Sequence, residues 1–591
     1  MRAGFTGQAR PIVLGASLLA LLVSAYAGKV GGNVAPASDV VTLSIVGTTD
    51  LHGVAFERNG RGGLALLGGY VKNLRAARAA DGGAVLLIDA GDTYQGGIES
   101  NLSEGALVVD AYNAMGYVAA AIGNHEFDFG PIDEAGRRRS DHEDPRGALK
   151  AIAARAKFPV LGANLLDDST GRLVGWPNVK SSVLVDAAGV KVGIVGVMTI
   201  GALRATLVVN TRGLHVAPLV PTIAAEAAKL RAAGAQLVIV ASHAGGSCTR
   251  FDDPGDLSSC DSTSEIFQVA QELPDGLVDV IVAGHVHAGV AHVVNGIAIT
   301  ESYSGGRAFG RVDVGFDRPA KKISGVRIFA PRDLCVKQDP RTHACDPAAD
   351  GGWLAPATYE GLAVVPDPAI TSAMAPELQR VRKLQATPLG AFVDVPLRRA
   401  ADTESPLGNL FADALRASIP GADVAINNTN AGGGLRADLP RGPLTFGGLY
   451  DVFSFDNQVA RLPLSGAQLT RVLTEEIRRG RRGALGISGL RVRAVCWAGG
   501  LRVDLVRPSG TPVASEEPLV VVTTDMLASG AVFSSVAPPG GFTLSYAAPV
   551  VREVVADWIQ QRGGHLSEDQ FVDPDNRRWE LPGAAADCIV Q

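Results

Sequence analysis

Short apolar runs rich in valine and isoleucine recur along this chain, and each one is followed within four residues by aspartate, histidine or glycine. The runs are Val41–Val46, Ala84–Ile88, Val192–Val197, Leu237–Val240 and Val278–Val282. Stretches of helical period, such as residues 223–233, lie between several of them. Buried strands that alternate with helices predict an α/β domain with sheet in the middle. Functional residues of such sheets gather at the carboxyl ends of the strands, which is where the polar residues of this chain fall.

A second α/β-like region begins near Phe392, with a helix predicted over residues 407–417 and a glycine-rich loop at 432–434. Strand-like pieces over 316–329, a cysteine-containing loop and a helix over about 369–383 precede it. We therefore place the boundary between residues 330 and 390. The predicted division is a signal peptide at 1–27, a spacer at 28–40, a first domain at 41–330, a linker with a cysteine loop and connecting helix at 331–390, and a second domain at 391–591.

The first 27 residues have the pattern of a secretory signal. Arg2 and Arg10 precede an apolar run over residues 12–23, and Ala25-Tyr26-Ala27 is a small-x-small cleavage pattern. An uncleaved N-terminal anchor helix is the alternative interpretation. The rest of the chain has no run of roughly 18 apolar residues. We therefore expect an exported protein, periplasmic or extracellular, with no stable membrane insertion after cleavage.

The six cysteines are even in number, and disulfides would form in an oxidising compartment. Two pairs of neighbours, Cys248 with Cys260 and Cys335 with Cys345, enclose short polar segments. We expect these pairs to bond and Cys496 to bond Cys588, although spacing alone leaves other pairings and six free thiols open.

Composition excludes several classes of protein. The chain is 47% hydrophobic and 19% charged, which argues against intrinsic disorder. With 54 Lys and Arg against 60 Asp and Glu and no basic run, it lacks the charge pattern of a nucleic-acid-binding protein. We expect a small-molecule partner and no nucleic acid; oligomeric state is not indicated.

Five strand-end segments together carry a set of metal-ligand side chains. These are Asp50, His52, Asp92, Asn124, His243, His285 and His287. Mixed oxygen and nitrogen ligands suit zinc, manganese, iron or cobalt and not the all-oxygen site of calcium. Seven ligands are too many for one tetrahedral ion but fit two divalent metal ions that share a carboxylate. Asp92, in a tight Gly-Asp turn, is the natural bridging ligand.

The order Asp-x-His, Gly-Asp, Gly-Asn-His-Glu, His, Gly-His-x-His resembles the calcineurin-like metallophosphoesterases. The run Asn124-His125-Glu126-Phe127-Asp128 and the large C-terminal region resemble the exported 5′-nucleotidase and UDP-sugar hydrolase family within that group. The resemblance covers residues 41–590. It implies an α/β protein: an N-terminal metallophosphoesterase β-sandwich flanked by helices, and a C-terminal α/β 5′-nucleotidase domain that binds substrate.

The same resemblance implies roles for these residues. One metal would be held by Asp50, His52, Asp92 and His287, and the other by Asp92, Asn124, His243 and His285. His125 and Asp128 would form the catalytic dyad, in which Asp128 orients the imidazole and favours its charged form. We expect Glu126 to support the loop and His292 to be an ordinary strand residue.

The C-terminal motifs match the family less well. Arg436, in Gly433-Gly434-Leu435-Arg436, would bind phosphate oxygens, and Phe455 would stack on one face of a nucleobase. Asn430 is displaced by one position from the family's asparagine. Met526 stands where a second aromatic ring is expected, and no carboxylate follows it for the ribose hydroxyls.

The leading hypothesis is release of phosphate from nucleoside 5′-monophosphates by hydroxide attack on phosphorus. A phosphodiesterase or pyrophosphatase acting on cyclic nucleotides, nucleotide sugars or a non-nucleotide phosphoester is the alternative. A thiosulfohydrolase is disfavoured because the His125–Asp128 pair is intact, and a non-catalytic binding protein because the ligand set is complete.

Overall fold

The structure is a computed structural model that describes residues 39–132, 143–400, 404–429, 434–479, 485–497, 500–530, 532–533, 535–536 and 548–581. The chain divides into Met1–Ser38 and a compact unit, Asp39–Gln591. The predicted signal peptide at 1–27, Asn430 and Cys588 lie outside the described residues.

The first sheet of the N-terminal half has seven strands among the described residues. Its order is Lys322–Asp333, Ala308–Asp317, Val40–Thr48, Ala84–Asp89, Ala119–Ala121, Val160–Leu161 and Val179–Lys180. From Val40–Thr48 to the last strand all neighbours are parallel, while the first two strands add antiparallel pairs. The carboxyl ends of the central strands therefore lie along one edge of the sheet.

The second sheet has six strands in the part of the chain that the structure describes. Its order is Gly289–Val294, Ile297–Ser302, Val280–Ala283, Leu237–His243, Val190–Met198 and Ser182–Ala187. The four middle strands are parallel. Valine, isoleucine and leucine side chains of both sheets share one buried core, so the two sheets pack face to face as the predicted sandwich.

Helices cover the outer faces of both sheets, and most of them contribute apolar side chains to a further core. They are Leu64–Asp81, Ile98–Asn101, Ala106–Met115, Gly147–Arg155, Val208–Thr211, Leu219–Ala232 and Glu265–Glu272. Short 3₁₀ turns occur at His125–Phe127, Ala202–Arg204 and Leu257–Ser259. Three short strands, Leu165–Asp167, Arg172–Leu173 and Leu214–Val216, form a small separate sheet.

The helix Leu219–Ala232 begins four residues before its predicted start at 223. Pro221 made the earlier start hard to recognise. A proline is tolerated in the first turn, because the N–H that it lacks has no partner inside the helix there.

A segment of short strands and one helix lies between the two halves. It contains the strand pairs Lys337–Gln338 with Ala355–Pro356 and Thr358–Tyr359 with Leu362–Ala363, followed by the helix Pro368–Gln385. Asp367 caps this helix through the Ala369 amide, and Pro368 occupies its first turn. The helix packs on Ala106–Met115 of the first half and also contacts Phe446–Val452 of the second.

The C-terminal half contains three small sheets and two hydrophobic cores within the described residues. The strands, sheet by sheet, are Val459–Ser465, Pro518–Thr524, Val424–Asn428 and Leu485–Ser488; Gly442–Thr445, Pro388–Val393 and Gly564–Leu566; and Gly500–Val506, Arg491–Trp497 and Trp579–Glu580. The helices are Pro406–Ser418, Phe446–Val452, Gly466–Arg478, Asp525–Ser529 and Val551–Arg562, with a 3₁₀ turn at Glu568–Gln570. This is the second α/β region that the sequence predicts.

Two of the three expected disulfides are present, Cys248–Cys260 and Cys335–Cys345. Cys496 is also disulfide-bonded. No helix among the described residues is both long and apolar enough to cross a membrane.

Candidate metal centre

The candidate ligands follow the carboxyl ends of strands from both sheets. Asp50 and His52 come after Val40–Thr48, and Asp92 comes after Ala84–Asp89. Asn124 follows Ala119–Ala121, His243 ends its own strand, and His285 and His287 follow Val280–Ala283. Because these strands are parallel neighbours in a sandwich, their ends meet at one place on its rim.

The ligand atoms fall into two groups that share Asp92. Asp50, His52, Asp92 and His287 form one group, and Asp92, His243 and His285 form the other, with ligand atoms in each group within 4.8 Å of one another. Asn124 joins the second group, since its Oδ1 lies 3.0 Å from His243 Nε2.

Backbone carbonyls set the orientation of two imidazoles. His52 Nδ1 lies 3.1 Å from the Gln95 carbonyl oxygen, and His243 Nδ1 lies 2.9 Å from that of Ala90. A carbonyl can only accept a hydrogen bond, so Nδ1 carries a proton in both rings, and in the neutral form of each ring Nε2 presents a lone pair. The two Nε2 atoms point into the centre, where His52 Nε2 approaches His287 Nε2 to 2.9 Å.

The donor set fits divalent metal ions. Asp50 Oδ1 is buried and accepts no hydrogen bond among the described residues, and His287 Nε2 lies 3.3 Å from it. Asp92 Oδ2 lies 3.2 Å from His243 Nε2. Convergent imidazole nitrogens and carboxylate oxygens at these distances are the ligands that zinc, manganese, iron and cobalt prefer.

Electrostatics at the centre favour positive charge. Burial disfavours charge on both Asp92 and His243, but their mutual attraction holds the pKa of Asp92 well below its usual range and raises that of His243 to about 10. Burial lowers the pKa of His285, and the nearby charge of His243 lowers it further. In the metal-free protein, a proton on His243 therefore supplies the positive charge that Asp92 attracts.

Five of the seven candidate ligands have left-handed backbone. The φ angles are 49° for Asp50, 50° for His52, 53° for Asp92, 81° for His285 and 62° for His287. Each such non-glycine residue costs of order 1–3 kcal/mol and persists only where surrounding contacts hold it. Strain concentrated on one cluster is typical of a functional site.

Glu126 provides part of that support, as the sequence predicts. Its side chain is buried and accepts hydrogen bonds from the amides of Asp92, Thr93 and Gly123 at 2.9, 2.7 and 2.6 Å. A Cβ on Gly123 would lie 2.3 Å from Asp92 Oδ1, so only glycine fits against the shared carboxylate. Glu126 is directed at the backbone and not at the metal cluster.

His125 and Asp128 form a close pair beside the two groups. His125 Nδ1 lies 2.6 Å from Asp128 Oδ2, and the Thr206 hydroxyl donates to Asp128 Oδ1 at 2.6 Å. Burial tends to lower the pKa of His125, but the hydrogen bond and charge of Asp128 outweigh it and raise that pKa to about 9. The other nitrogen, Nε2, lies 4.0 Å from Asp92 Oδ2, on the side of the cluster.

His292 is an ordinary strand residue, in line with the prediction. It lies on Gly289–Val294, and its ring nitrogens are 2.9 Å from the Arg250 carbonyl oxygen and 3.3 Å from that of Pro254. It supports the loop closed by Cys248–Cys260.

Two of the predicted substrate residues, Arg436 and Phe455, are in contact in the C-terminal half. The Arg436 guanidinium is 4.5 Å from the centre of the Phe455 ring. Met526 is 46% exposed. Among the described residues, no hydrogen bond, ion pair or ring contact joins Arg436 or Phe455 to the metal-ligand cluster. Asp525 lies beside Met526, and burial raises its pKa to about 6. The charge of Asp128, in the dyad, makes a smaller contribution in the same direction.

Sequence reasoning missed several buried residues that support these sites. Asp89 accepts hydrogen bonds from the hydroxyls of Thr48, Thr93 and Tyr112 and from the Gly91 amide. Arg552 donates to the carbonyls of Phe453 and Phe455 at 3.3 and 3.1 Å and pairs with Asp456, which holds the turn that presents the Phe455 ring. Most of these contacts join distant segments, and no local motif marks them.

Two sequence profiles match the chain. That of the calcineurin-like phosphoesterases matches residues 43–289, and that of the 5′-nucleotidase C-terminal domain matches residues 383–535. The chain therefore belongs to the calcineurin-like phosphoesterases that carry a 5′-nucleotidase C-terminal domain. This class consists of metal-dependent phosphoester hydrolases.

Two relatives are each 25% identical to the chain over the residues that align. Endonuclease YhcR of Bacillus subtilis is 25% identical over 504 residues, which cover 83% of this chain and 37% of that protein. Protein UshA of Yersinia enterocolitica is 25% identical over 469 residues, 73% of this chain and 75% of that one. The chain thus spans little more than a third of the first of these relatives.

The fold agrees with solved structures. The 5′-nucleotidase precursor of Thermus thermophilus superposes with a TM-score of 0.54 at 23% identity, covering 88% of this chain and 97% of that one. The predicted fold class, a metallophosphoesterase domain followed by a 5′-nucleotidase domain, is confirmed.

Proposed function

We propose that this protein is an exported phosphohydrolase with two divalent metal ions that releases phosphate from nucleoside 5′-monophosphates. The observation that carries the proposal is the pair of ligand groups that share Asp92, with the His125–Asp128 pair beside them. We assign Asp50, His52, Asp92 and His287 to one ion and Asp92, Asn124, His243 and His285 to the other. When bound, such ions neutralise phosphate charge and activate a water molecule for in-line attack.

The dyad contributes proton transfer and charge. Nδ1–H of His125 donates to Asp128, so Nε2 can carry a second proton toward the phosphoryl group or the leaving oxygen. The Thr206 hydroxyl donates to the other oxygen of Asp128 and so fixes the orientation of the carboxylate. We propose that His125 protonates the departing nucleoside oxygen and that Asp128 holds it in the charged form.

Arg436 and Phe455 are the proposed substrate contacts. Arg436 would grip phosphate oxygens through its planar fork, and the Phe455 ring would stack on the base. Asn430 remains a proposed contact on sequence grounds alone. The likeness to 5′-nucleotidases supports a nucleotide, and the leader-like N-terminus with the disulfides supports export.

A second candidate, hydrolysis of a phosphodiester or a non-nucleotide phosphoester, is favoured by Met526. One ring and an exposed thioether would stack on a base less well than two rings do. The base would then contribute less to binding than it does in a two-ring site.

Phosphate release by the purified protein from AMP and from glycerol phosphate, with manganese present and with chelator-treated controls, tests the proposal. We expect chelator-sensitive release with a strong preference for AMP. Chelator-sensitive release without preference would retain the metal chemistry and reject the nucleotide. Absence of release from both would favour the diesterase or a binding role.

A further inference from the structure

Glu301 is a buried carboxylate that contacts two of the ligand-bearing loops without being a candidate ligand. It lies near the end of Ile297–Ser302 and is 1% exposed. Its Oε2 accepts a hydrogen bond from the Gly246 amide at 2.9 Å. Burial raises the pKa of Glu301 to about 8, and the backbone amides of Gly246, Val286 and Ala288 oppose that rise. Oε1 has no partner of good hydrogen-bond geometry among the described residues, so the contacts of the Val286 and Ala288 amides are weaker.

The two loops carry three of the candidate ligands. Gly246 follows His243, and Val286 lies between His285 and His287. Both of the latter histidines have left-handed backbone, with φ of 81° and 62°. That strain needs an external contact to hold it. Glu301 supplies a contact at the residue between them.

The carboxylate packs closely against Gly245, on the loop that follows His243. A Cβ on Gly245 would lie 2.5 and 2.7 Å from the two oxygens of Glu301 and 2.2 Å from the Gly284 carbonyl oxygen. The two loops and the carboxylate are therefore in direct contact. A change in the length or charge of residue 301 must move at least one loop.

We propose that Glu301 is a positioning residue of the metal centre, which holds the His243 loop against the His285–His287 loop and thereby sets the affinity for divalent metal. The inference rests on the proposed two-metal function. Groups that orient metal ligands typically change metal affinity 10–100-fold when replaced.

The test is calorimetric titration of the chelator-treated, dialysed full-length protein with manganese chloride. Glu301→Gln keeps the size of the side chain but places an amide NH₂ against backbone N–H groups. We expect affinity to fall about 10–100-fold and turnover to recover toward the wild-type value at saturating manganese. Glu301→Asp keeps the charge and shortens the reach, and we expect it to weaken binding as well.

Glu404→Gln is the matched control. Glu404 is a buried glutamate that accepts hydrogen bonds from the Asn409 side chain and the Arg578 amide in the C-terminal half. We expect wild-type affinity from this variant. Circular dichroism of the metal-free variants checks folding, and Glu301→Asp replaces Glu301→Gln if the latter does not fold.

The outcomes separate the two proposals. Two results would overturn the role of Glu301 but leave the proposed function standing. One is that Glu301→Gln binds manganese as tightly as wild type, and the other is that Glu404→Gln loses as much affinity as Glu301→Gln. No manganese binding by wild type would overturn the proposed function, and the role of Glu301 with it.

Discussion

Replacing Glu126 by alanine would remove one carboxylate from beneath the shared ligand Asp92. Oε2 accepts from the amides of Asp92 and Gly123, and Oε1 accepts from that of Thr93. Glu126, Asp92 and Thr93 are each at most 2% exposed. Water does not reach these amides in the wild-type fold, so the alanine variant leaves three buried donors without an acceptor.

The expected cost follows from that count. A buried donor without an acceptor costs about 1–3 kcal/mol, so three cost about 3–9 kcal/mol unless water enters the cavity. Glu126→Gln keeps one oxygen, which can still serve two amides, and loses the third contact at a cost of about 1–3 kcal/mol. We therefore expect the alanine variant to lose roughly three times the free energy of unfolding that the glutamine variant loses.

Urea unfolding of the metal-free proteins, followed by circular dichroism, measures these differences. Chelation is required because bound metal would add stability through mass action. Glu272→Ala, at an exposed position at the end of Glu265–Glu272, is the control, with an expected change within about 0.5 kcal/mol. A loss below about 1 kcal/mol for Glu126→Ala, with an unchanged dependence on urea, would refute the hydrogen-bond argument.

Three further predictions concern other residues. His125→Ala should leave manganese affinity nearly unchanged and lower turnover about 10²–10⁴-fold, measured by steady-state phosphate release; near-normal turnover would remove the dyad from the mechanism. Phe455→Ala should raise the KM for AMP more than that for a small aryl phosphate, and equal increases would mean that no base stacks there. Burial raises the pKa of Asp89 from 3.8 to about 6, so between these values the folded state binds a proton that the unfolded state does not. The free energy of unfolding of the wild type should therefore fall as the pH rises from 4 to 6. Relative to Asp89→Asn the fall should be about 3 kcal/mol in urea unfolding, and a pH-independent difference would contradict this.

The sequence predicted the strands and the residues that follow them because both signals are local. An apolar run followed by Asp-x-His or Gly-Asp indicates both a buried strand and the polar residues at its end. Parallel strands in an α/β fold bring such ends together. The candidate ligands, including Asp92 between two groups, could therefore be named before their distances were known. Such patterns predict the ends of helices less well: the helix Leu219–Ala232 has a proline in its first turn and begins four residues before its predicted start.

Tertiary structure alone decided which groups hold those ligands in place. Glu301 is 55 residues from Gly246, whose amide donates a hydrogen bond to it. Arg552 is 97 residues from the Phe455 carbonyl, and neither Glu301 nor Arg552 lies in a recognisable motif. Their roles depend on sheet order and on packing that excludes water, because a hydrogen bond to a loop amide requires the right distance and no competing solvent. The sequence determines which side chains are present and what chemistry each can perform, whereas the contacts that orient those side chains exist only after the chain has folded.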